Sequence, residues 1–125
     1  MADYTPVQFP ARVITSTLTV ACSGGDLLAV SGSGTVAPAW AGVQGAFVGV
    51  AAVDGQPGDR VTFFARGFVH ESISDGVVTA GDMMTPSLTP GRGVATAAAG
   101  TLGQYIIGWA LTSAPDNSMV RWMEA

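Results

Sequence analysis

The sequence contains no lysine, one histidine and one cysteine, so composition gives several classes of function little support. All five basic residues are arginines, against nine acidic residues, and the formal net charge is −4 at pH 7. Phosphate backbones are normally bound by clustered basic side chains, so we expect no nucleic-acid partner. Zinc sites usually require several Cys or His ligands, so we expect no metal site.

Long hydrophobic runs are also missing, although 48% of the residues are hydrophobic and 11% are charged. A membrane-spanning helix needs roughly 20 consecutive apolar residues, and no run approaches that length. The opening stretch, MADYTPVQFP, contains an acidic residue and no apolar segment typical of a secretory signal. We therefore expect no membrane partner and a protein that stays in the cytosol where it is made.

No catalytic pattern stands out. The segment His70-Glu71-Ser72, with Asp75 nearby, supplies the residue types of a nucleophilic triad. However, His70 and its neighbour Glu71 would face opposite sides of a regular strand and could not both enter one pocket. Cys22, between an apolar residue and a Ser-Gly-Gly turn, is typical of a small buried hydrophobe. We therefore predict that the protein is not an enzyme and uses no cofactor.

The hydrophobic pattern favours strands over helices. Residues 12–21 alternate between two faces and are rich in β-branched side chains, and residues 60–73 form a second run that predicts one strand bent at Gly67. Turn-forming residues separate such runs about every 8–12 residues. The sequence therefore predicts an all-β fold with little helix, a small single-domain barrel or sandwich.

Two parts of the chain repeat one another in the same order. The motif Gly-Asp-Met-Met at residues 81–84 lies 56 positions after Gly-Asp-Leu-Leu at residues 25–28. The segment IIGWA at residues 106–110 lies 59 positions after FVGVA at residues 47–51. Two copies are too few for a solenoid, which needs at least about three units.

The repeat suggests a division of the chain and a role for two glycines. We predict an extended N-terminal arm at residues 1–11 and a β-barrel domain at residues 12–125, with repeat halves at about 12–66 and 67–125. Each half is expected to supply half of the wall of one closed or nearly closed barrel. Gly49 and Gly108 are expected to occupy equivalent sites where a neighbouring strand passes close to the backbone, or where the strand bends.

A family resemblance covers nearly the whole chain. It is carried by YTPVQFPARVITSTLTVACSGGDLLAVSGSGTVAPA, FVGVAAVDGQPGDRVTFFARGFVHE, VTAGDMMTPSLTPGRGVATA and IIGWALTSAPDNSMVRW. These segments resemble the capsid decoration (cement) proteins of tailed bacteriophages and prophages, a group formerly catalogued as a domain of unknown function beside major capsid genes. None of the shared segments is a catalytic signature.

The resemblance implies a structural function. It implies a protein that binds the outer surface of an expanded icosahedral head, commonly as a homotrimer, and stabilises the head by clamping neighbouring capsomers. The implied partners are the major capsid protein and other copies of the chain. The implied location is the capsid exterior of the virion, with the host cytoplasm as the site of assembly.

The N-terminal arm offers candidate contact residues. Pro6 and Pro10 keep residues 1–11 extended, and apolar side chains in this segment could anchor in a groove or on a strand edge of a partner. An alternative is a frayed terminus or the first edge strand of the barrel. The candidate anchors in the arm are Tyr4, Val7 and Phe9.

The three tryptophans suggest one further contact. Trp40 lies in a loop and is a candidate surface anchor, whereas Trp109 and Trp122 lie in apolar strands and are predicted to be in the core or an oligomer interface. A second hypothesis is a carbohydrate-binding or adhesive module displayed on a virion. In that case Trp40, with Gln44 and Gln104, would contact sugars.

Overall fold

The computed structural model describes residues 13–41, 47–65, 69–98 and 106–124. These ranges contain one short 3-10 turn, Ala39–Ala41, and no α-helix. The strands are β1 (Val13–Leu18), β2 (Leu27–Gly32), β3 (Thr35–Pro38), β4 (Phe47–Ala51), β5 (Arg60–Ala65), β6 (Val69–Ile73), β7 (Met83–Pro86), β8 (Val94–Thr96), β9 (Gly108–Ala110) and β10 (Met119–Glu124). The predicted all-β single domain with little helix is confirmed. Within the described ranges, no helix has the length and apolar character needed to cross a membrane.

The strands form two sheets, one from each part of the sequence. Strands β1 to β5 close into a barrel in the order β1-β3-β2-β4-β5, and the later strands form a sheet in the order β6-β10-β9-β7-β8. A parallel bridge between Ser74, which follows β6, and Val94, the first residue of β8, joins the two outer strands of the second sheet. Traced around either sheet, equivalent strands therefore occur in the same order.

The expectation that each half supplies half of one barrel wall is wrong. In the first half, β1 pairs with both β3 and β5, so the sheet closes within that half. Hydrogen-bonding groups at a sheet edge need partners, and here each half supplies them from its own strands. The structure thus contains two similar small sheets that pack against each other.

The two Gly-Asp turns have the same geometry. Gly25 and Gly81 both have a φ of 93°, a left-handed conformation that glycine adopts without steric cost. The carboxylates of Asp26 and Asp82 each accept a hydrogen bond at 2.9 Å from the backbone N–H three residues earlier. Each glycine donates its own N–H, at 2.8 Å, to the last residue of β4 or β9. The sequence repeat is therefore a structural repeat at these turns.

Gly49 and Gly108 occupy equivalent close contacts, as predicted. A Cβ atom added at Gly49 would overlap the carbonyl oxygen of Phe64 in β5. One added at Gly108 would overlap the carbonyl oxygen of Met123 in β10, which lies 59 positions after Phe64. In both halves a neighbouring backbone occupies the space that a side chain would need.

Two hydrophobic clusters fill the interior. The cluster inside the first barrel consists of Leu18, Cys22, Leu28, Val36, Ala51, Val61 and Phe63. The other cluster consists of Val78, Met84, Val94, Ile107, Ala110, Ala114, Val120 and Trp122 from the second half, with Leu27, Ala39, Phe47 and Val50 from the first. The rings of Phe47 and Trp122, with centroids 6.2 Å apart, lie where the halves meet. This shared core joins the two sheets.

The run at residues 60–73 is two strands rather than one bent strand. Strand β5 ends at Ala65, β6 begins at Val69, and the two strands belong to different sheets. Strand β5 contains β-branched and aromatic residues, and β6 begins and ends with β-branched ones, so the sequence shows no clear break between the halves. Strand pairing reveals that boundary.

Candidate functional site

Of the predicted contact residues, Trp40 lies within the described ranges. Tyr4, Val7 and Phe9, with the whole predicted arm, lie outside the described residues, as do Gln44 and Gln104.

Trp40 belongs to the 3-10 turn and is half-buried. Its indole N–H donates a 3.3 Å hydrogen bond to the carboxylate of Asp26. The tryptophan is therefore held against the first Gly-Asp turn.

Trp40 lines a cleft of about 310 Å³ between the two halves. The cleft walls come from four separate parts of the chain besides Trp40: residues 23–26, residues 71–73, residues 91–93 and Met119. The lining combines an aromatic ring with two carboxylates, one guanidinium group and several glycines. Clefts at the junction of two packed units, with a few polar groups among apolar ones, are common ligand sites.

The guanidinium group in this cleft is tied to the protein. Arg92 forms an ion pair with Asp116 (Nη1–Oδ1 2.7 Å) and donates to the carbonyl oxygen of Ser74 at 3.0 Å. The pKa of Asp116 lies below its ordinary value because of the hydrogen bond from the Gly76 backbone N–H and, next, the one from Arg92. This arrangement fastens the loop before β8 to the turn before β10.

Neither Cys22 nor a metal cluster marks a reactive centre in the described residues. Cys22 is a free, buried thiol, and burial raises its pKa, with a further increase from the carboxylate of Asp26. A raised pKa leaves less of the nucleophilic thiolate at neutral pH. Within residues 13–41, 47–65, 69–98 and 106–124, no group of three or more His, Cys, Asp or Glu side chains could hold a metal ion.

The polar residues of the triad-like segment pack against the core. The hydroxyl oxygen of buried Ser72 accepts a 2.9 Å hydrogen bond from the indole N–H of Trp122. The imidazole of His70 lies 5.2 Å from the ring of Trp122, and its Nε2 is 3.5 Å from a carboxylate oxygen of Glu124. These groups thus surround the tryptophan at the junction of the halves.

The outer face of the second sheet is apolar and exposed. Cross-strand pairing places Met119 opposite Ile73, and Met123 opposite Val69. Trp109 lies between Met123 and Met83 in the strand order. We call these six residues, which are between 37% and 59% exposed, the apolar outer face: Val69, Ile73, Met83, Trp109, Met119 and Met123.

One ion pair lies within the apolar outer face. Arg121 and Glu71 are directly opposite on β10 and β6, with Nη2 and Oε1 2.8 Å apart. Because the two charges compensate each other, this pair adds no net charge to the face. Ile73 and Met119 also line the cleft, so the face and the cleft adjoin.

The sequence predicts only part of the apolar outer face. Trp122 is fully buried in the core, which is one of the two environments predicted for it, whereas Trp109 is 41% exposed. Met83, Met119 and Met123 all lie on the surface, where they are between 43% and 59% exposed. The alternation along β10 predicts which residues share a face. It does not identify the neighbouring strands that complete that face.

Comparison with known proteins identifies the fold. No family model matches the chain, and no curated protein matches it. A similar solved structure is the N base of the head fiber protein gp8.5 of bacteriophage phi29, with a TM-score of 0.60 and 15% sequence identity. The similarity covers 90% of this chain and 92% of the other. At this identity the likeness shows a shared fold.

Proposed function

We propose that this protein is a structural component of a phage virion. It binds the outer surface of an expanded icosahedral head as a homotrimer and stabilises the head by clamping neighbouring capsomers. Its partner is the major capsid protein, and it acts without a chemical step or a cofactor. The observation that carries the proposal is the fold, which is shared along nearly the whole chain with the base of a phage head fiber.

The surface of the protein supports an assembly function. A decoration protein acts by burying surface against its partners, and monomeric proteins rarely leave large contiguous apolar patches exposed. The apolar outer face presents six large hydrophobic side chains on adjacent strands. Arg92 and Glu71, two charged residues that line the cleft, are both engaged in ion pairs.

The proposal is tested by co-sedimentation of the purified protein with expanded, undecorated phage heads. We expect saturable binding at a fixed number of copies per capsomer, and a higher temperature of head rupture. Unexpanded heads serve as the control, because the proposed site forms on the expanded surface. Lack of binding to expanded heads from the source phage would contradict the proposal.

The cleft favours a second candidate, a carbohydrate-binding module displayed on the virion. Aromatic rings beside polar groups are suited to bind sugars, and Trp40 occupies such a position beside Asp26. A glycan that binds there should change the tryptophan fluorescence of the protein but not that of the variant Trp40→Phe. If no glycan changes the fluorescence, this candidate fails.

A further inference from the structure

We propose that the apolar outer face binds a second copy of this chain. This inference deepens the proposed function, because it assigns the surface used for self-association and rests on that part of the proposal. The equivalent faces of the two halves differ in exposure and in residue type.

The equivalent face of the first half is partly covered within the chain: two of its apolar positions are buried, whereas Val13 and Phe64, which correspond to Val69 and Met123, are 41% and 36% exposed. By the offsets of the repeat, Leu27 corresponds to Met83 and Val50 corresponds to Trp109. Leu27 and Val50 are only 3% and 6% exposed, and both belong to the hydrophobic cluster that contains the core residues of the second half. Met83 and Trp109 are 53% and 41% exposed, so the same face of the second half has no such cover.

Residue types at two further pairs of equivalent positions also differ between the halves. Thr17 and Arg60 of the first half correspond to Ile73 and Met119 of the second. On the first half, these positions beyond the covered region are polar. On the second half, the corresponding positions are apolar although they are exposed to 37% and 59%. Methionine and aromatic residues at such positions are typical of subunit interfaces.

Charge favours a second copy as the occupant. The chain carries a net charge of −4, so two copies repel each other over most orientations. Glu71 and Arg121 compensate each other on this face, and the other six side chains are uncharged. Two copies can therefore approach through it without bringing like charges together. The apolar cluster that buries Leu27 and Val50 within the chain indicates that an apolar surface of the same kind would fit against Met83 and Trp109.

The test compares the mass of the full-length protein with that of two variants by light scattering over a range of concentrations. Met83→Glu and Met123→Glu change exposed residues that lie outside the cleft. We expect each change to raise the concentration needed for half-assembly at least about tenfold, because an unpaired carboxylate would be buried at each interface. Thr15→Glu, at the position equivalent to Glu71, is the matched control and should assemble like the wild type.

Each outcome decides the proposal. A wild type with the mass of one chain at every concentration would overturn it, as would variants that fold and still assemble like the wild type. Urea unfolding of the variants checks that they fold.

Binding of the same proteins to expanded heads separates this inference from the proposed function. Self-association that the variants abolish, in a protein that never binds heads, would support the inference and contradict the proposed head binding. A monomeric wild type that binds heads, with variants that do not, would mean that the face contacts the capsid protein and not a second copy.

Discussion

The close backbone contacts at Gly49 and Gly108 lead to a quantitative prediction about stability. We expect Gly49→Ala and Gly108→Ala to lower the free energy of unfolding by similar amounts. At both sites the new methyl group would meet the backbone of the neighbouring strand, which cannot rotate away as a flexible side chain can. At Gly49 it would also lie 2.8 Å from a ring carbon of Phe63.

The magnitude follows from two contributions. Overpacking of a filled site costs about 1–3 kcal/mol, and a backbone contact this close belongs at the upper end. Displacement of the strand also weakens at least one ladder hydrogen bond, which contributes about 1 kcal/mol. We therefore expect a loss of about 3–4 kcal/mol for each variant, within the stability of a typical domain.

The assay is urea unfolding followed by tryptophan fluorescence, with Gly24→Ala as the matched control. A Cβ at Gly24 would approach no atom closer than 3.6 Å, and the residue has no left-handed φ. Because alanine restricts the unfolded chain, the control should be neutral or stabilised by up to about 1 kcal/mol. A loss below about 1 kcal/mol at Gly49 or Gly108, or losses that differ by more than about 2 kcal/mol, would contradict this prediction.

Three further predictions concern the junction, the cleft and the terminus. Ser72→Ala should lower the free energy of unfolding by about 1–3 kcal/mol in urea titrations, since the buried indole N–H of Trp122 loses its acceptor; no loss would mean that another group accepts this hydrogen bond. The pKa of Asp116 is lowered in the folded protein, so its contribution is present above the ordinary value of 3.8 and is lost as the pH falls through the folded value. The stability advantage of wild type over Asp116→Asn should therefore shrink in acid, and thermal melts at neutral and acidic pH that show a constant advantage would contradict this. Deletion of residues 1–11 should leave the circular dichroism spectrum and melting temperature nearly unchanged but weaken binding to expanded heads; an unfolded product would show that the segment is part of the fold.

The candidate site was only partly predictable because its residues are distant in sequence. The loop position of Trp40 predicts a contact residue, but the cleft that Trp40 lines is built from segments of both halves. The ion pair between Arg92 and Asp116 joins residues 24 positions apart, and no local pattern indicates it.

The sequence alone predicts the features that depend on local backbone geometry. Period-two alternation and turn residues predict the strands, and the repeated glycines Gly49 and Gly108 predict two equivalent sites of close backbone contact or strand bending, of which the structure shows close contact. Strands and turns follow from the steric properties of a residue and its immediate neighbours, and a glycine inside a strand indicates a close backbone approach or a bend. A short stretch of sequence is therefore enough to predict these features.

Which surfaces are covered is visible only in the folded structure. Leu27 and Met83 occupy the same place in the repeat and are both apolar, yet one is 3% and the other 53% exposed. Trp109 and Trp122 both lie in apolar strands, but one faces outward and the other fills the core between the halves. Burial depends on the packing of one sheet against the other. Two halves with similar local patterns therefore have different exposed faces, because each contributes a different side to that contact.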